Sequence, residues 1–203
     1  MKKSVVVFFS VFLAMSLSAC TFKHAIPIRY TPIVQMERLP DKDHPVVIVV
    51  GEFTDDRKEK TLFSKHLNPI SVHKIKGETT GDLAQILRDA FVDGFLKSGF
   101  EVPMGTPSTT PLLSLTGRVT TYNVAIKSKW KTVTMTAFVD LEVTMKRDDG
   151  QELVVPCSGT SLLDSKGSIS YDSAGTALDQ ATQDCVKKFF ADQKFRSFLA
   201  KQI

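Results

Sequence analysis

Hydrophobic and polar positions alternate along this chain with two distinct periods, and the changes of period mark the elements. Residues 46–53, VVIVVGEF, form a continuous β-branched apolar run, the pattern of a strand buried on both faces. A polar stretch, TDDRKEKTLFSKHLN, follows, and PISVHKI at 69–75 gives a weaker strand pattern. Leu83, Ile86, Leu87, Ala90, Phe91 and Phe95 then recur every three or four positions, which places them on one face of a helix. Thr80 or Asp82 caps its start, and Ser98-Gly99 stops it, with Phe100 packing back on the last turn.

Beyond a Pro- and Thr-rich loop at 103–111, the period falls to two. LLSLTGRVTTYNVAI alternates through Leu113, Leu115, Gly117 and Val119 and resumes at Val124 and Ile126. The next strand is more regular: Val133, Met135, Ala137, Val139, Leu141, Val143 and Met145 share one side, with Thr132, Thr134, Thr136, Asp140, Glu142, Thr144 and Lys146 on the other. One apolar and one polar face predict an antiparallel sheet wetted on one side. Asp149-Gly150 turns the chain into QELVVPCSGTSLL, whose Pro156 assigns that strand to an edge or a bulge. Ala174, Ala177, Leu178, Ala181, Cys185, Val186 and Phe189 make the stripe of a second helix, and Asp192-Gln193 breaks the pattern before FRSFLAKQI. The expected fold is α+β: a two-layer sandwich of a mainly antiparallel sheet with two amphipathic helices packed on one face.

The N-terminus has a different composition. Lys2 and Lys3 precede an apolar run of about 11 residues, too short for the roughly 20 that span a bilayer. At its end Leu17-Ser18-Ala19-Cys20 resembles, at all four positions, the lipobox of bacterial lipoproteins. That resemblance implies cleavage after Ala19, diacylglycerol and N-acyl chains on Cys20, and a membrane anchor that does not span. The following residue is Thr21 rather than an aspartate, which in such lipoproteins implies the periplasmic face of the outer membrane. Residues 1–19 are therefore expected as a signal peptide and 46–203 as a periplasmic domain. Residues 20–45 carry Pro27, Pro32, Pro40 and Pro45 without periodicity and are expected as an extended tether, with a reach on the order of 80 Å.

Lys2 and Lys3 leave with the signal, so 24 basic side chains face 22 acidic ones and the formal charge falls from +4 to +2. Near-neutrality gives nucleic-acid binding no support. With Cys20 given to lipid, Cys157 and Cys185 remain, either bridged or as two buried thiols. Neither belongs to a Cys-x-x-Cys pair, so redox catalysis is not expected.

Catalytic chemistry is thinly represented. His24, His44, His66 and His73 have no ligand spacing between them, and no metal or other cofactor is expected. Asp55, Asp56 and Arg57 follow the first strand, where carboxylates of open sheets often act, but two adjacent acids without a third partner read first as a charged loop. No Gly-x-Ser-x-Gly elbow or glycine-rich phosphate loop is present. The candidate binding surface is KSKWK, where Lys127, Lys129 and Lys131 surround Trp130, the sole tryptophan. Such a tip suits an anionic membrane, a glycan polymer or an acidic protein, or else is a solvated turn. Arg57 and Lys65 belong to a second basic stretch, diluted by Glu59.

The order of lipobox, Pro-rich segment, apolar strand ending at Asp-Arg, helix ending in Gly-aromatic, long hairpin and closing helix resembles the YajG-like family of bacterial outer-membrane lipoproteins. The segments LRDAFVDGFLKSGFEV, LLSLTGRVTTYNV, TAFVDLEVTM and FRSFLAKQI carry the likeness. It implies fold and address and brings no catalytic residues. The expected function is that of a non-enzymatic, periplasm-facing lipoprotein that binds another envelope protein or complex. Its rivals are a structural subunit of an envelope-spanning secretion or flagellar assembly, and a glycan- or lipid-binding accessory module.

Overall fold

A computed structural model describes residues 23–39, 46–67, 76–103, 113–129, 132–166 and 170–200. In chain order the elements are strands β1 (Lys23–Pro27), β2 (Ile48–Asp55), β3 (Phe63–Leu67) and β4 (Lys76–Thr80), helix α1 (Leu83–Lys97), strands β5 (Leu113–Lys129), β6 (Thr132–Arg147) and β7 (Glu152–Lys166), and helices α2 (Tyr171–Ala191) and α3 (Gln193–Ala200). The strand expected at 69–75 lies outside the described residues.

The α+β sandwich is borne out. β6 runs between β5 and β7 in two long antiparallel ladders, from Leu113↔Arg147 to Lys129↔Thr132 on one side and from Lys146↔Glu152 to Thr132↔Lys166 on the other. Its side chains alternate strictly between buried and wet along almost its whole length, as the period of two requires. The apolar stripes of α1, α2 and α3 cover the dry face. Phe91 meets Phe189 at 5.2 Å between ring centroids, Phe95 meets Phe190 at 4.7 Å, and Phe195 closes over Phe189 at 4.7 Å. α3 is separate from α2 because Asp192 caps it, accepting from the backbone N–H groups of Lys194 and Phe195.

The sheet is mainly antiparallel, as expected, and two parallel pairings make it mixed. β2 pairs with the first half of β5 and β3 with its second half, both in parallel. The long excursion through α1 supplies the crossover that parallel pairing needs. β1 and β4 form a separate parallel pair.

β7 is an edge strand, as Pro156 indicates. Pro156 has the same parity as Thr160, whose N–H points away from β6 to Asp184 Oδ2 at 3.0 Å, so the proline stands where no partner strand requires a donor. Gly159 brings α2 down onto this edge: a Cβ there would lie 1.9 Å from the Ala181 carbonyl oxygen. Beside it Cys157 and Cys185 form a disulfide across strand and helix, with their Cα atoms 5.4 Å apart.

The segment expected as a free tether is docked from Lys23 to Leu39. Ile26, Ile28 and Ile33 are buried in the core. Thr31 N–H donates to Asp179 at 2.7 Å, Ile33 N–H to Asp93 at 3.1 Å, and Leu39 N–H to the Ser98 carbonyl at 3.1 Å. Ile26 and Ile28 flank Pro27 and Ile33 follows Pro32, so the described part of the strap serves packing.

Candidate functional site

Asp55, Asp56 and Arg57 leave the end of β2, where β5 changes neighbour from β2 to β3. The Asp56 N–H reaches the Val119 carbonyl at 3.0 Å, and pairing resumes where Val124 N–H reaches Leu62. Between those points, on the side away from β6, the Tyr122 carbonyl has no described strand opposite. Arg57 fills the gap: Nη1 donates to Tyr122 O at 3.0 Å, while Nε and Nη2 grip both Asp55 carboxylate oxygens at 2.8 and 2.9 Å. The guanidinium also lies over the Tyr122 ring, 5.9 Å from its centroid. Burial works against ionising Asp55, but the hydrogen bonds from Arg57 and Lys60 outweigh it and lower its pKa to about 2.

This arrangement fastens an inter-strand crossing. Both oxygens of Asp55 are held by cations, and Asp56 faces Arg118 at 3.8 Å, with Arg118 also bonded to Glu142. Neither acid is directed at an empty site. Arg57 is only 6% exposed and so does not belong to the binding surface expected of it. The sequence showed the charges; the missing signal was that β5 changes partner at this point.

Of the other candidates, Lys127 is exposed near the end of β5, and Lys129 closes that strand. Trp130 and Lys131 lie outside the described residues. Lys65 falls on β3, which pairs with β5 through Leu67↔Lys127, so topology brings the two basic stretches to one end of the sheet.

Two features escaped the sequence reading. One is the strap's anchorage: Asp93 accepts from the Tyr30 hydroxyl at 2.7 Å and from Ile33 N–H, and Lys97 lies 3.1 Å from the same carboxylate. The other is an apolar spot on the wet face of the sheet. Leu162 on β7 is 61% exposed, and its row across the sheet is Ala125, Thr136 and Leu162. Phe138, diagonal to Leu162 on the same face, is half-buried, which makes a small apolar spot rimmed by Asn123, Thr136 and Thr160.

A shallow, polar concavity of about 480 Å³ lies between β2 and the start of α1 and is lined by Glu52, Gln85 and Arg88. Arg88 Nε donates there to the Gly51 carbonyl at 3.1 Å, next to the register shift after Val50. Among the described residues no group of three or more His, Cys, Asp or Glu stands together to hold a metal ion. None of the described helices is long and apolar enough to cross a membrane.

A disulfide-strapped α+β sandwich with a docked N-terminal strap, starting three residues after a lipobox-like cysteine, defines a small lipoprotein domain. A family model described as an uncharacterized lipoprotein, Lipoprotein_16, matches residues 44–200, and the chain belongs to that family of YajG-like lipoproteins. Protein XCC0632 from Xanthomonas campestris shares its fold, at 13% identity and a TM-score of 0.56, over 90% of this chain and 100% of that one. A minor lipoprotein from Acinetobacter baumannii aligns at 10% identity and a TM-score of 0.39, over 72% of this chain and 94% of its own. Lipoprotein GNA1162 from Neisseria meningitidis aligns at 13% identity and a TM-score of 0.35, over 65% and 92%. No curated protein matches the sequence.

Proposed function

We propose that this lipoprotein is non-enzymatic, is held by acyl chains on Cys20 at the periplasmic face of the outer membrane, and binds another protein or complex of the envelope through the open face of its sheet. The observation that carries the reading is the spot made by Ala125, Phe138 and Leu162 on a face that none of the described helices covers. An aliphatic and aromatic centre with a hydroxyl and amide rim is the composition of a protein-binding patch, where desolvation of the centre supplies affinity and the rim supplies register. Family membership and the lipobox support the anchor, and the engagement of Asp55 and Asp56 in cation pairs supports a role without catalysis.

Photocrosslinking in living cells tests it, with the probe placed at position 162, at position 120 on the same face, and at Gly150 in the distal turn. A discrete adduct to one envelope protein from 162 and 120 but not from 150 is expected. Absence of any envelope adduct from 162 and 120, in cells where the protein is membrane-bound, would overturn the binding role.

A further inference from the structure

Five lysines gather at one end of the sheet, and the chain that carries Cys20 leaves the domain at that same end. The register Lys129↔Thr132↔Lys166 places the β5–β6 hairpin tip and the end of β7 side by side. β3 runs toward that tip, reaching it at Leu67↔Lys127. Lys76 is the register partner of Lys23 in the parallel β1–β4 pair.

The strap gives the same direction independently. Leu39 is bonded to Ser98 just past the end of α1, Ile33 to Asp93 one turn back along it, and Thr31 to Asp179 and Gln183 of α2, while α1 ends where Glu101 bridges Val47 at the far end of the sheet. Going upstream, the chain therefore climbs toward the N-terminus of α2, which directly follows β7 at the tip end, and Lys23 lies beyond. Lys23, Lys76, Lys127, Lys129 and Lys166 thus share one end. The acids nearby are Asp164, whose carboxylate accepts from Thr134, Asp172 in the first turn of α2, and Glu78, two positions along from Lys76. At the far end of the same ladders the β6–β7 turn carries Asp148, Asp149 and Glu152 beside Lys146 and Arg147, with Arg147 paired to Asp149.

Only Thr21 and Phe22 separate Cys20 from β1. Three residues reach about 10 Å, comparable to the thickness of a headgroup layer and to the Debye length in physiological salt. Resting on the lipidation of Cys20 proposed above, we infer that the domain stands on the membrane with this lysine end against anionic lipid headgroups, and does not swing on a tether. The docked strap removes the slack, the five lysine positions are brought within the range of the surface potential, and the β6–β7 turn is held roughly 50 Å away along the strands. The sheet stands upright, so its open face is presented sideways to other envelope components.

The test uses the full lipidated protein, purified from membranes and reconstituted into vesicles. Intact mass first reports the acyl chains on Cys20; an unacylated chain would sink both the anchor and this orientation. In acylated protein a fluorophore is attached through Lys127→Cys or, separately, Glu152→Cys, in vesicles holding a headgroup nitroxide quencher. With about a third of the lipid as phosphatidylglycerol, the label at 127 is expected to be quenched at least threefold more than the label at 152. In phosphatidylcholine alone, or with Lys129→Glu and Lys166→Glu together, that ratio should fall toward one. Equal, weak quenching of both labels in acylated protein would overturn the orientation while leaving the anchor intact. Strong quenching at 127 that ignores lipid charge and the Glu substitutions would overturn the role of the lysines.

Discussion

The Tyr30 hydroxyl donates to Asp93 Oδ2 at 2.7 Å and so pins the N-terminal strap to the middle of α1. Asp93 also receives the Ile33 N–H, and Lys97 stands beside it, so one carboxylate gathers three donors from two elements. Tyr30→Phe should cost about 1 kcal/mol, the net worth of one hydrogen bond. Asp93→Ala should cost about 2–3 kcal/mol, because it also strands a backbone donor at the strap. Urea unfolding measures both, and Asp93→Ala should hasten cleavage by trypsin at Arg38 and Arg29, which are exposed on the strap.

Alkali should act on the same contact. Burial, together with the bond to Asp93 and its charge, raises the Tyr30 hydroxyl well above its ordinary value of 10.0, and burial does the same to Tyr122. The folded state therefore holds these protons more tightly than the unfolded chain. Their contribution to stability is complete below about pH 10 and is lost as the pH rises above it. Denaturation midpoints should fall above pH 10, and Tyr30→Phe should fall less steeply there than the parent protein.

Arg57→Ala should destabilise by about 3 kcal/mol, since it leaves the Tyr122 carbonyl without a donor and Asp55 without its fork. Arg57→Lys should recover little, because an ammonium cannot span two carboxylate oxygens and a carbonyl in one plane. The acid limb gives a second reading of the same pair. Asp55 titrates near 2 in the fold and near 3.8 unfolded, so its contribution is present above about pH 4 and is lost as the pH falls toward 2. Asp55→Asn should flatten the dependence of stability on pH in that window, as urea titrations at successive pH values would report.

Most of the sandwich was legible because its strands are half-wet and its helices carry stripes; β6 and α1 show their burial in their spacing alone. Parallel pairing was not. Phe63 to Leu67 is short and mixed, and only the presence of β5 opposite makes it a strand. The strap was hidden for a related reason: Ile26, Ile28 and Ile33 are too few and too unevenly spaced to set a sustained period, and their burial depends on distant residues. Arg57 reads as a surface cation until the unpaired Tyr122 carbonyl, 65 positions away, is known to be beside it. Non-local partners decide all three, and local periodicity contains no information about them.

Gly159 and Gly150 make a controlled comparison. At Gly159 a Cβ would overlap backbone, 1.9 Å from Ala181 O and 2.6 Å from Cys185 N, so Gly159→Ala must push α2 off the sheet edge. A loss of more than about 3 kcal/mol is expected, as for other overpacked sites. Gly150 sits at φ +83 in the β6–β7 turn with nothing nearby, so Gly150→Ala meets only the strain of a left-handed backbone, about 1 kcal/mol. Thermal melts of the two variants should differ by several degrees, and similar melts would mean that α2 does not approach β7 as closely as the structure places it.

The same approach fixes what the disulfide does. Cys157 and Cys185 are both buried and lie 28 positions apart, and closing a loop of that length should stabilise the fold by about 3.5 kcal/mol through the entropy of the unfolded chain. Cys157→Ser with Cys185→Ser should therefore lower stability by about 2–4 kcal/mol. Its urea m-value should also rise slightly, because the unfolded state expands once the loop is open. Reduction of the parent protein should reproduce the shift and leave the double variant unchanged. Should the double variant melt with the parent while Gly159→Ala does not, close packing of α2 on the edge strand, rather than the crosslink, would be what holds helix to sheet.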